Sequence, residues 1–149
     1  MSKIIVEHVP SVKLYKIGYD EFHAKLVAAW DWKKIDLEDT WFFYPCWEDW
    51  DKIFQYVQRN LPKYAPDAFD CDNFAFYISI MVSKEFGCNT CNVVEGDADV
   101  GCGVKMRHKW NVFFDGDGFY QLESQKYTPP NMIADLDDPD YVPDEIEVG

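Results

Sequence analysis

The chain alternates between short runs rich in β-branched and aromatic residues and longer stretches with an apolar position every three or four residues. Those two periods separate strands from helices. Ile4 to Val9 and Val12 to Ile17, split by Pro10, read as two short strands. Asp20 is placed to cap a helix running to about Trp30, with Phe22, Leu26 and Trp30 on one stripe. Residues 31–44 show no period and read as a loop or broken helix carrying Trp32, Trp41, Phe42 and Phe43. Pro45 suits a first helical turn, and Trp50, Ile53, Phe54 and Val57 give the helix that follows, to about Asn60, one apolar face. Its acids Glu48, Asp49 and Asp51 near the start and Arg59 near the end match the helix dipole.

After a loop with Pro62 and Pro66 comes FDCDNFAFYISIMVSKEFG, residues 69–87. Asp70 caps it, Gly87 stops it, and apolar residues on both faces predict a central, well-buried helix starting at Cys71. Asn89 to Glu95 reads as a strand and GDADVGCG, residues 96–103, as a loop. Met106 to Phe114 and Phe119 to Glu123 are strands joined by DGDG, a hairpin signal. Pro129-Pro130 ends the regular part, and an acidic tail follows from about residue 131. The pattern is that of one α+β domain over residues 1–149, without internal repeats.

Composition supports a folded globule: of 149 residues, 48% are hydrophobic and 17% aromatic. Most of the six tryptophans fall on helical stripes or in apolar runs and read as core. Charge is lopsided. Acids outnumber bases 27 to 14, and residues 131–149 hold seven acids and no base. This balance repels phosphate backbones, which excludes nucleic acid as a partner class. No stretch has the length or flanks of a signal peptide or a membrane span, so the expected location is the cytoplasm, without membrane attachment. Five cysteines cannot all pair within one chain, which points to reduced thiols.

One constellation carries chemistry. A thiol at a helix N-terminus meets unpaired N–H groups and partial positive charge, which favour thiolate. The Asp-Gly hairpin supplies a base and an orienter. With Asp115 to Gly118 as the turn, Phe114 faces Phe119, Val112 faces Gln121, Trp110 faces Glu123 and His108 faces Gln125. His108 and Glu123 then share one face as diagonal neighbours, with Cβ atoms within about 7 Å. Cys71, His108 and Glu123 are therefore the candidate nucleophile, base and third member. Asp70 and Asp72 would quieten such a thiol unless a cation sat beside them.

Three blocks carry a resemblance: Phe69 to Ala75, His108 to Phe113 and Leu122 to Gln125. Together they resemble the papain-like domain that follows the lectin part of the Marasmius oreades mushroom agglutinin, and its stand-alone relatives. The likeness spans about Tyr64 to Gln125; no β-trefoil sugar-binding part accompanies it. It implies a papain-like fold in which a central helix bearing the cysteine packs on an antiparallel sheet bearing the histidine and glutamate. It further implies a calcium-dependent cysteine peptidase acting on peptide or protein substrates, with metal at Asp72 and Asn73.

Two other readings stand beside it. The aromatic stretch from Trp41 to Trp47 and the acidic tail suit a non-catalytic, metal-binding interaction module of the same fold. Cys88, Cys91, Cys102 and His108 form a possible three-cysteine, one-histidine structural zinc set.

Overall fold

The computed structural model describes residues 8–63, 65, 70–99, 103, 105–123 and 133–147. Among them are eight strands and three helices: β1 (Leu14–Gly18), α1 (Tyr19–Ala29), β2 (Lys34–Asp36), β3 (Trp41–Pro45), α2 (Trp47–Arg59), α3 (Cys71–Phe86), β4 (Cys91–Ala98), β5 (Met106–Phe114), β6 (Phe119–Leu122), β7 (Ile133–Asp135) and β8 (Tyr141–Glu147). Six strands form one sheet in the order β2-β8-β4-β5-β6-β7, while β1 and β3 form a separate antiparallel pair.

The sheet, not a helix, is the centre of the molecule, because both its faces are buried. Along β5, Trp110, Val112 and Phe114 join one apolar cluster with Phe22 and Leu26 of α1 and Phe42 of β3. Phe113, pointing the other way, joins Trp50, Ile53, Phe54 and Val57 of α2 and Ile78, Val82 and Phe86 of α3. A strand covered on both sides reads as a continuous apolar run, which is what WNVFF is. Phe22 lies on Phe42 with ring centroids 4.2 Å apart and meets Phe114 edge-on at 5.4 Å. Burying each such ring is worth roughly 1.5–3 kcal/mol.

This architecture corrects the papain-like expectation. The helix carrying Cys71 is one of two on one flank, with α1 and the β1–β3 pair on the other. The sheet is mixed rather than antiparallel, since β2 and β8 run parallel. Nor is α3 buried all round: Phe74, Ala75, Ile78, Val82 and Phe86 are buried, whereas Phe76 and Ile80 are exposed at 39% and 64%.

Local differences have identifiable causes. Gly18, not Asp20, precedes the first turn of α1, and the Thr40 carbonyl accepts the Tyr19 N–H. Asp20 and Glu21 sit inside that turn, where the dipole favours them. Pro45 closes β3 instead of opening α2, whose N-cap is Cys46. The unpatterned segment 31–44 holds β2 and most of β3, short pieces whose partners lie far along the chain. Residues 96–98 extend β4 instead of starting a loop. Of the first expected strand, residues 4–7 lie outside the described residues, and 8 and 9 are in no element.

The largest departure is the acidic segment. In place of a solvated tail, residues 133–135 and 141–147 supply β7 and β8, and β8 pairs with both β4 and β2. Tyr141 and Ile146 are buried in the sheet's first cluster. One of the segment's acids meets two bases: Arg107 grips Asp144 through Nη1 at 2.6 Å and Nη2 at 3.1 Å, and Lys33 lies 3.8 Å from it.

Candidate functional site

The hairpin register read from the Asp-Gly turn is the register found. Phe114 pairs with Phe119 and Val112 with Gln121, and the ladder ends at Asn111 opposite Leu122. Glu123, one residue on, therefore falls within reach of His108, whose Nε2 lies 3.0 Å from Oε2 and 3.2 Å from Oε1. Glu123 is buried and His108 nearly so, with side chains 5% and 9% exposed. Tyr141 of β8 donates its hydroxyl to Glu123 Oε2 at 2.9 Å. Burial, and then the Glu123 charge, push the Tyr141 phenol well above its ordinary range, so it stays a donor. The His108 ring stacks on Trp110 at 5.7 Å, and the Trp110 indole N–H donates to Gln121 Oε1 at 2.8 Å. Gln121 in turn donates to the carbonyl of Asp135 at 2.9 Å and to that of Tyr141 at 3.2 Å. Side chains from β5, β6 and β8 are thus tied into one polar array.

Cys71 begins α3, half-buried, with Asp70 as N-cap in a capping box: the Asp70 N–H donates to Asn73 Oδ1 at 3.1 Å. Besides Phe113, β5 meets α3 through Lys109, whose Nζ lies 5.0 Å from the centroid of the Phe76 ring, and Asn111, whose amide donates to the Ala75 carbonyl at 2.9 Å. His108 and Trp110 alternate to the opposite face. Among the described residues no hydrogen bond joins the Cys71 thiol to His108. Histidine and glutamate are brought together; the thiol is not joined to them.

Donor atoms of Asp70, Cys71 and Asp72 lie within 4.8 Å of one another. A hydrogen bond with Asp70 holds the Asp72 carboxyl below the usual range, against the opposing effect of burial. Asn73 Oδ1 is already taken by the cap, and the Asn73 N–H donates to Asp72 Oδ1 at 3.0 Å. Calcium takes six to eight oxygens. Among the described residues, Asp70 and Asp72 bring two carboxylates toward such a set.

The zinc set fails on distance. Cys91 pairs with Phe113 and His108 with Gly96, five positions apart along β4, or roughly 17 Å. Cys88 is buried and its thiol contacts the Thr90 hydroxyl at 3.2 Å; Cys102 lies outside the described residues.

A concavity that the sequence reading did not single out lies at the start of α2. It measures about 270 Å³ and is lined by Trp47, Glu48, Trp50, Asp51, Phe54, Phe113 and Ile133. Trp47 is 41% exposed and meets Tyr120 edge-on at 4.7 Å and Phe113 at 5.8 Å. The signal was present: Trp47, Asp51 and Phe54 stand at i, i+4 and i+7, one helical stripe mixing aromatic rings with a carboxylate.

No protein-family model matches this chain. A search of curated proteins also finds no match. Solved structures do share the fold. A PSL1a–E64 complex aligns with a TM-score of 0.63 and 19% identity over 89% of this chain and 51% of that one. A Polyporus squamosus lectin bound to the human-type influenza-binding epitope Neu5Acα2-6Galβ1-4GlcNAc aligns with a TM-score of 0.55 and 20% identity, over 76% and 44%. Both neighbours are fungal lectins of the same fold family as the mushroom agglutinin that the sequence resembles. The chain spans about half the length of each.

These findings correct the functional expectation. The neighbour named by function is a lectin, and neither a hydrolase, with peptide as its substrate, nor a metal-binding module finds support in these comparisons. No helix among the described residues is long and apolar enough to cross a membrane.

Proposed function

We propose that this chain is a carbohydrate-binding domain that takes one sugar unit in the concavity beside Trp47. The observation that carries the reading is the combination of an exposed indole with two carboxylates, Glu48 and Asp51, around an apolar floor. A pyranose has an apolar C–H face and a rim of hydroxyls. Trp47 offers a ring to the face, and the carboxylates accept hydrogen bonds from the hydroxyls. Apolar walls with a few placed polar groups are the general form of small-ligand sites, and about 270 Å³ lies just under their usual range. That suits one ring better than a chain of them.

Charge narrows the ligand. Both polar groups in the concavity are acids and the chain carries −13, so a neutral sugar is favoured over an acidic one. Titration of neutral and sialylated methyl glycosides, followed by NMR, tests the reading. A neutral glycoside should bind at millimolar or lower concentration, and Trp47→Ala should weaken it about tenfold or more. Equal binding by Trp47→Ala, or no neutral glycoside bound, overturns it.

A further inference from the structure

A second concavity lies on another side of the molecule, at the C-terminal end of α1. It is lined by Val27, Ala28, Ala29, Trp30, Asp31, Trp32 and Ile35 and measures about 360 Å³. We infer that it is a binding site for an organic ammonium ion, and this inference is independent of the sugar reading at Trp47.

Three features of different origin favour positive charge at one place. The last carbonyls of any α-helix lack intrahelical partners and carry the negative end of its dipole. On α1 that end has no basic residue in its last turn, although Asp20 and Glu21 complement the other end. Asp31, exposed in the lining, adds a full negative charge. The nearby Lys33 is directed away, its Nζ lying 3.8 Å from Asp144.

The two indoles make the site selective for an organic cation over a metal ion. Trp30 donates its indole N–H to the Pro143 carbonyl at 2.8 Å, and Trp32 donates its own to the Leu26 carbonyl at 3.0 Å. Both rings are thereby anchored at their polar edges, and what they have left to offer a ligand is π surface. Tryptophan faces attract alkylated ammonium groups, and a pair of aromatic rings beside a carboxylate is the chemistry by which such cations are held. Val27, Ala28 and Ile35 add apolar side chains for methyl groups to touch, in a lining whose open surface is otherwise more polar than apolar.

Choline is the probe, and 3,3-dimethyl-1-butanol, of the same shape without charge, is the control. Each is titrated into the full chain at constant ionic strength while the tryptophan indole N–H resonances are followed by NMR. Choline should shift the Trp30 and Trp32 signals saturably and leave Trp47 and Trp50 in place, while the alcohol binds at least about fivefold more weakly. Asp31→Asn, a change at an exposed residue, should weaken choline by about threefold or more with the fold unchanged. Equal binding of choline and the alcohol, an unaffected Asp31→Asn variant, or shifts confined to Trp47 would overturn the inference. Failure of the sugar titration would leave these readings untouched.

Discussion

Individual side chains show how far chemistry can be read from residue type and how far it depends on placement. His108 and Glu123 were legible because a two-residue period and an Asp-Gly turn fix which side chains share a face, and the structure has them 3.0 Å apart. Cys71 was legible as the start of a helix, cap included. How it stands to His108 depends on which face of the sheet the helix covers, and no local pattern states that. The cysteines make a direct test of placement. Burial pushes Cys88 up to about 11 and Cys91 well above the usual thiol range, whereas Cys46 and Cys71 are partly accessible. Only thiolate alkylates, so a pKa near 11 lowers the reactive fraction by about two orders of magnitude before access is counted. With iodoacetamide at pH 7.5 and peptide mapping, Cys46 and Cys71 should label first. Cys88 and Cys91 should react only as the protein unfolds; prompt labelling of Cys91 in native protein would contradict the packing described.

Among the elements, β4 and β8 are the instructive pair. Gly96 reads as loop by composition, yet it lies within β4 because the β8 backbone passes against it at a register shift between Glu95 and Gly96. A Cβ at this position would meet the Val142 carbonyl oxygen, with the Pro143 Cα at 2.7 Å. Every one of these contacts is β8 backbone, which has little room to give. Gly96→Ala should therefore cost about 2–4 kcal/mol, measured by urea denaturation, whereas Gly103→Ala, with nothing within 4 Å of its Cβ, meets only the strain of its positive φ, roughly 1 kcal/mol. Equal losses at the two positions would show that close approach is not the reason for Gly96. The strand YVPDEIE was hidden in the sequence for the same reason. Its proline and acids argue against a strand when read alone, and only its partners make it one.

At the scale of the whole molecule, the charge that suggested a solvated tail helps to hold that segment in place. Arg107 spans Asp144, Asp97 and Glu95, three acids from two strands. Its hydrogen bonds hold the Asp144 carboxyl below the usual range. A carboxylate whose folded pKa is depressed adds stability that is present above the unfolded value, near 3.9, and is lost as pH falls through the folded one. Arg107 is half exposed, so Arg107→Ala should cost only about 0.5–1 kcal/mol at pH 7. That difference should shrink toward zero on acidification below about pH 4. Urea melts of both proteins across pH 7 to 2 measure it, and a gap that persists unchanged at pH 2 would assign the loss to packing instead.

The sheet order also sets a timetable. Strand β2 has β8 as its partner, joined through Lys34 opposite Glu145, roughly 110 residues later in the chain. An emerging polypeptide carries β2 and the Trp30 indole unpaired until β8 has been made. Pairings of such separation close the largest loops and come late in folding. The Arg107–Asp144 contact belongs to the same late event, since both need β8 in its slot between β2 and β4. Until that strand docks, the edge of β4 stays open, and this interval is when the chain is most exposed to edge-to-edge pairing with other copies of itself.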